Sequence, residues 1–315
     1  DAPSPQLPFS TDRSEAVPAE PTPTAPFLGS VVITEADVDI EEVFGFLDRN
    51  ALFAGQWQLR KTQQQSRDEY DAMLKEKAEP VLQQWMDRCL HESLLTPRAA
   101  YGYFPVGRDG NALWVFDANG ESELGRFDLP RQRSGNRYCI ADFFQDMTAD
   151  GRPADVLPMQ AVTMGDKASE VAQELFKGDQ YSDYLYFHGL AVQMAEAMAE
   201  WVRARIRREL GFADPEGMPL RDVLAQRYRG SRYSFGYPAC PNVSDSRQQL
   251  SWLGADRIGL SMDASDQLSP EQSTTALVAL HSKARYVSAS PESPFSADHG
   301  DCRTRWRRCC HQGGC

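Results

Sequence analysis

The sequence predicts an α+β fold, and three observations carry that expectation. Two long helical periodicities lie on either side of residues 99–164. Between them, short β-rich runs are joined by connections too brief for crossover helices. These strands follow one another and do not alternate with helices as in a doubly wound sheet. Short connections favour antiparallel pairing, because a parallel pair needs a crossover of a dozen residues or more.

The elements follow in order. Residues 1–26, "DAPSPQLPFSTDRSEAVPAEPTPTAP", hold seven of the 20 prolines among Ser, Thr, Ala and Glu, and read as a semi-extended linker attached to something upstream. Order begins at Phe27. Thr34 is an N-cap with Asp37 at N3, opening a helix to about Asp48 with Val38, Val43, Phe46 and Leu47 at helical spacing. A second helix spans about Arg67 to Leu90, kinked at Pro80. "AYGYFPV", "ALWVFD", "RYCIADF" and "PMQAVTM" then read as strands. The longest helical period follows Asp166. In "GLAVQMAEAMAEWVRARIRREL" apolar residues recur every three or four positions, with a basic end at Arg203–Arg208 and Gly211 as the stop. Arg257–Met262 and Ala276–His281 read as further strands. Residues 27–289 thus form one domain, and 290–315 a separate Arg- and Cys-rich tail expected to be disordered.

Composition narrows the function. The 315 residues carry a net charge of -12, which argues against nucleic acid and anionic membrane as partners. No apolar window approaches the length of a membrane span, and the start lacks the apolar region of a signal peptide. Cys89, Cys139 and Cys240 are dispersed through the body, which suits a reducing cytoplasm. The tail's Cys302, Cys309, Cys310, His311 and Cys315 lack the paired C-x2-C spacing of a zinc site, so no metal is expected.

Common catalytic signatures are absent. No G-x-G-x-x-G follows a strand, and there is no Walker A loop or G-x-S-x-G elbow. His91, His188 and His281 stand alone. No residue reads as a catalytic acid, base or nucleophile; Cys240 has no base near it in sequence.

One stretch stands out: "RYSFGYPACP", Arg232 to Pro241. Pro238 and Pro241 fix φ, Gly236 permits close backbone approach, and small Ala239 leaves neighbouring amides accessible. By its residues alone this is first a rigid turn carrying a surface arginine. The second reading is a preorganised backbone for a small polar ligand, with a guanidinium to grip its carboxylate.

The pattern R-x-x-x-G-Y-P-A-C-P resembles the S-adenosylmethionine-binding signature of the activation domain of cobalamin-dependent methionine synthase. "PFLGSVVITEADVDIEEVFGFLDRNALFAGQWQLR", "TPRAAYGYFP", "RYCIADF", "HGLAVQMAEAMAEWVRARIRRELG" and "LSPEQSTTALVALHSKARY" resemble that family in the same order, over residues 27–288. The resemblance implies a C-shaped single domain with a twisted antiparallel sheet flanked by helices. It implies S-adenosylmethionine in the concave face, with Asp48 on the ligand's ammonium and Arg232 on its carboxylate. It also implies contacts from Glu196, Gly236, Ala239, Tyr286 and Val287, the last standing where the family often has an aromatic. Each has a plainer reading: Asp48 and Glu196 as solvated charges, Tyr286 as core.

The family's task, again by resemblance, is reductive methylation. Cobalamin that has lost an electron regains one from flavodoxin or an equivalent reductase and is methylated by S-adenosylmethionine. This chain has no D-x-H-x-x-G cobalamin motif, so a partner domain must hold the cobalamin; zinc belongs only to the absent homocysteine module. Methyl transfer to a metal moves no proton, which accords with the missing triads. A separate regulatory module that binds S-adenosylmethionine without supporting transfer is the alternative.

Overall fold

The computed structural model describes residues 10–286. Strand β1 (Gly29–Ile33) leads through a short turn into helix α1 (Ile40–Phe44). Helices α2 (Arg67–Met73) and α3 (Glu79–His91) follow, then strands β2 (Arg98–Asp109), β3 (Ala112–Phe116), β4 (Glu123–Asp128) and β5 (Asp155–Thr163). Helices α4 (Asp166–Lys177), α5 (Tyr181–Glu209) and α6 (Leu220–Leu224) precede strand β6 (Ser231–Tyr233). Helix α7 (Asp245–Leu253) and strands β7 (Ser261–Met262), β8 (Leu268–Ser269) and β9 (Ser273–Ala279) complete the order.

The main sheet runs β4-β3-β2-β5-β9-β6, every pair antiparallel, and β7 and β8 form a separate ribbon. Long β2 serves two neighbours along one edge: β3 at its C-terminal end and β1 at its N-terminal end. A glycine makes the second pairing possible, because a Cβ at Gly102 would come within 2.1 Å of the Gly29 carbonyl oxygen.

Successive side chains on a strand point to opposite faces, and here both faces are buried. Ala99, Tyr101, Tyr103 and Val162 join one core with Trp85 of α3 and Leu190, Met194 and Met198 of α5. Ala100, Phe104, Val106, Met159 and Ala161 join a second core with Tyr233, Phe235 and the α7 residues Leu250 and Leu253. Burial on both sides explains why β2 and β5 read as nearly continuous apolar runs.

Helix α5 is the element that positions the site. Its 29 residues cross the sheet, and Gln160 of β5 donates to the Ala199 carbonyl at 3.0 Å. Gly211, at φ +83°, follows as the expected stop. The mixed helices and antiparallel sheet are those of an α+β fold.

Several expected elements differ. The helix expected over 34–48 is a short turn, Glu35–Asp37, then α1, ended at Gly45. The Asp37 carboxylate does accept from the Thr34 amide at 3.0 Å and its hydroxyl at 2.7 Å. The helix over 67–90 forms, but Leu74–Ala78 widens into a π turn just before Pro80, where a missing N–H is best accommodated. "RYCIADF" is no strand: Ile140–Phe143 is a 3-10 turn around the fully buried Asp142 carboxylate. That carboxylate accepts from both Arg131 amino groups, at 2.5 and 2.7 Å. A short apolar run does not by itself separate strand from buried turn. Arg257–Met262 likewise yields only β7, because Ala255–Ile258 is a 3-10 turn ended by Gly259 at φ +74°.

The proline-rich start also departs from the linker expected of it. Its described part, residues 10–26, lies along the body. Val17 is fully buried, Arg13 donates to the Phe144 carbonyl at 2.7 Å, and Thr22 to the Ala154 carbonyl at 2.9 Å. Composition gave too little apolar surface for an independent fold, but one buried valine and a series of polar contacts suffice to dock a segment on a fold already made. The Cys-rich tail lies outside the described residues.

Candidate functional site

The repeat Ala-Glu-Ala-Met-Ala-Glu places Glu196 and Glu200 four residues apart, so α5 carries both carboxylates on one face. The opposing element is β6, an edge strand whose Arg232 pairs in register with Val278 of β9. Arg232 meets both carboxylates: Nε donates to Glu200 Oε1 at 2.9 Å, and Nη2 donates to Glu196 Oε2. Its side chain is mostly buried, Glu200 is buried, and Glu196 is the most open of the three at 29% exposure.

A second layer fixes Glu200. Its Oε2 accepts from Arg203 Nη2 at 2.5 Å, and the Tyr228 hydroxyl lies 3.4 Å away. The Arg203 and Arg207 guanidinium carbons sit 4.3 and 3.9 Å from the Tyr228 ring, and Arg207 Nε donates to Asp214 at 2.9 Å. Burial alone would raise the Glu200 carboxyl, but the Arg203 and Arg232 charges bring it below its ordinary value. Burial likewise opposes charge on Arg232, and the two glutamates more than offset it, so its pKa is raised. Arg203 is drawn down to about 10 by burial, against the pull of Glu200. The result is a cation that keeps its charge in a mostly dry setting, beside one fixed and one more accessible carboxylate.

The loop after β6 is a tight turn. Gly236 at φ +93° donates its N–H to the Cys240 carbonyl at 2.9 Å, and Cys240 donates to the Tyr237 carbonyl at 2.9 Å. Ala239 is buried beneath the turn. The Cys240 thiol donates to the Ser234 carbonyl at 2.9 Å, and burial pushes its pKa up to about 12, which is the wrong direction for a nucleophile.

The remaining expected residues are distributed around this centre. Tyr286 is half-buried and follows Arg285, whose carbonyl accepts from the Tyr233 hydroxyl at 2.8 Å. The chain before Tyr286 is therefore tied to the residue after Arg232. Val287 lies outside the described residues. Asp48 caps a separate helical turn: its Oδ1 accepts from the Asn50 and Ala51 amides, each at 3.0 Å. Among the described residues no hydrogen bond or ion pair joins Asp48 to Arg232. Its neighbours straddle α5, with Glu42 accepting from Trp201 Nε1 at 3.1 Å and Trp57 Nε1 donating to the Tyr186 carbonyl at 3.1 Å. Asp48 thus lies between two residues, Glu42 and Trp57, that bind α5 at Trp201 and Tyr186.

Glu200, Tyr228 and Arg203 were missed by the sequence reading. The signal for Glu200 was present in its i,i+4 spacing from Glu196; Tyr228 and Arg203 gave none, because only the fold stacks them. Among the described residues no cluster of His, Cys, Asp or Glu could hold a metal, and no helix is long and apolar enough to cross a membrane.

Comparison with known proteins adds to this geometry. The family described as Vitamin B12 dependent methionine synthase, activation domain, matches residues 39–291. Methionine synthase of Mycobacterium tuberculosis is 37% identical over 286 residues, and that of Mycobacterium leprae 38% identical over 288 residues. Both alignments cover 87% of this chain, which spans only 24% of the length of each relative. A solved structure described as the MetH reactivation domain bound to AdoHcy shares the fold, with a TM-score of 0.75 at 23% identity, covering 86% of this chain and 84% of its own.

Proposed function

The chain belongs to the family of vitamin B12-dependent methionine synthase activation domains, and on that premise we propose that it binds S-adenosylmethionine and supports reductive methylation of cobalamin. The observation that carries the reading is Arg232. A guanidinium on β6, held charged by Glu196 and Glu200 and four residues before a stiff turn, is suited to a ligand's carboxylate. The similar fold with S-adenosylhomocysteine bound supports the ligand class.

The roles are those the family resemblance implies. Arg232 takes the carboxylate of the amino-acid end, and Asp48 its ammonium. Glu196 supplies negative charge near the cationic sulfonium. Gly236 and Ala239 would offer the ligand a turn with little side chain in the way, and Tyr286 and Val287 would supply further contacts. None of these groups moves a proton. The chain's work is placement, so that the methyl, sulfur and incoming metal are in line.

Cobalamin would be the substrate, held by a partner domain, reduced by one electron from flavodoxin or an equivalent reductase and methylated at cobalt, leaving S-adenosylhomocysteine. The setting would be the cytoplasm. Calorimetry with S-adenosylmethionine on the chain tests the ligand reading, and absence of heat and of binding ends it. Methylcobalamin formation, assayed with a cobalamin domain and reduced flavodoxin, tests the transfer. Binding without methylcobalamin would leave a regulatory module in its place.

A further inference from the structure

The two segments closest to Arg232 and Tyr286 are joined by a residue far from both in sequence. Glu20, in the proline-rich segment, pairs with Arg229 Nη2 at 2.5 Å and accepts from the Ser282 amide at 3.0 Å and from the Ser282 hydroxyl. Arg229 stands three residues before Arg232, and Ser282 four before Tyr286.

The joint is built on several sides. Arg229 also donates Nε to the Leu280 carbonyl at 2.8 Å, and its guanidinium carbon lies 4.4 Å from the Phe212 ring. The His281 Nε2 lies 2.7 Å from the Pro18 carbonyl oxygen and 3.7 Å from Glu20. Gln145 Nε2 donates to the Glu20 carbonyl. A small cavity of about 30 Å³ lies under the segment, lined by Glu20, Pro21, Phe143, Arg229 and His281 among others. Burial acts to raise the Glu20 carboxyl, yet the hydrogen bonds from Ser282 and the nearby His281 and Arg229 leave it below its ordinary value.

β6 needs such a support. It is three residues long and, among the described residues, pairs only with β9, so few backbone hydrogen bonds hold it. Val17, fully buried against the second core, seats the same strap.

We propose that residues 10–26 act as a strap whose Glu20 latches the outer ends of β6 and β9 together, and that strap closure sets the stiffness of the Arg232 site and hence its ligand affinity. The coupling to affinity rests on the ligand reading above; the latch itself does not. Whatever pulls the strap away would loosen the two segments that carry Arg232 and Tyr286 at once.

The test uses the full chain with Glu20→Ala and Arg229→Ala, singly and together. Amide hydrogen exchange without ligand is expected to quicken about fivefold over residues 229–233 and 279–285 in either single variant, the scale of one partly exposed ion pair. The double variant should show no further change, because the two residues act as one joint. Affinity for S-adenosylhomocysteine should fall by a similar factor, again without addition in the double. Unchanged exchange in Glu20→Ala overturns the latch. Quickened exchange with unchanged affinity overturns the coupling. If the unaltered chain does not bind S-adenosylhomocysteine, the ligand reading falls and the coupling with it, while the exchange pattern still decides the latch.

Discussion

Arg232 and Glu200 face each other at 2.9 Å across the gap between β6 and α5, and each has a second partner on α5. Glu196 completes the pair on the outer side of Arg232, and Arg203 on the inner side of Glu200. The arrangement alternates charge, cation to anion, from the interior outward. Removing any member leaves an opposite charge short of a partner.

Arg232→Ala follows most directly. Under the proposed function it should weaken S-adenosylhomocysteine binding by roughly 2–4 kcal/mol, or about 30- to 900-fold, measured by calorimetry. Arg232→Lys keeps the charge but loses the planar fork, so it should recover only part of that affinity. Wild-type affinity in Arg232→Ala would remove the guanidinium from the site.

Glu200→Gln should destabilise the fold at neutral pH by about 3 kcal/mol, since it leaves two mostly buried guanidiniums without their shared anion. The folded Glu200 carboxyl lies below its ordinary value of 4.5, so its contribution is complete above that pH and declines as the pH falls toward the folded value. Urea unfolding of both proteins should therefore show the gap between them narrowing below about pH 4.5. A gap that stays constant down to pH 3 would contradict this account.

The dispersed cysteines should be inert in the folded protein. Burial pushes Cys89 and Cys240 up to about 12 and Cys139 to about 11. At pH 8 an alkylating reagent should leave all three unmodified until denaturant is added, as read by peptide mass mapping. Rapid labelling of Cys240 would mean that the turn opens readily.

Gly236→Ala should cost about 1–2 kcal/mol in chemical denaturation, the price of a left-handed φ for a residue with a Cβ. The added carbon would also come within 3.0 Å of Val243 Cγ2. A neutral substitution would show that the turn relaxes to negative φ.

Much of the site was readable one residue at a time. Arg232, Gly236 and Ala239 fall in one short motif, and the motif's stiffness follows from its prolines and glycine. The periodicity of α5 placed Glu196 on a helix, but only the family resemblance singled it out as a site residue. That Glu196 and Glu200 pair with Arg232 was not readable, because a three-residue strand gives no periodic signal and the two carboxylates lie 36 and 32 residues upstream. The turn at 140–143 was missed for a related reason. It is organised by Asp142 binding Arg131 and Arg108 from other segments, and such buried ion pairs leave no trace in local pattern.

The sequence by itself determined the α+β class, the central strands β2, β3, β5 and β9, the long helix and the motif turn, because local periodicity and φ restrictions act within a few residues. The tertiary structure alone decided that Glu200 anchors Arg232 and that the proline-rich start docks on the body. Each of these depends on charges or carbonyls brought together from distant positions. Their energies come from desolvation and from partners that exist only once the chain has folded.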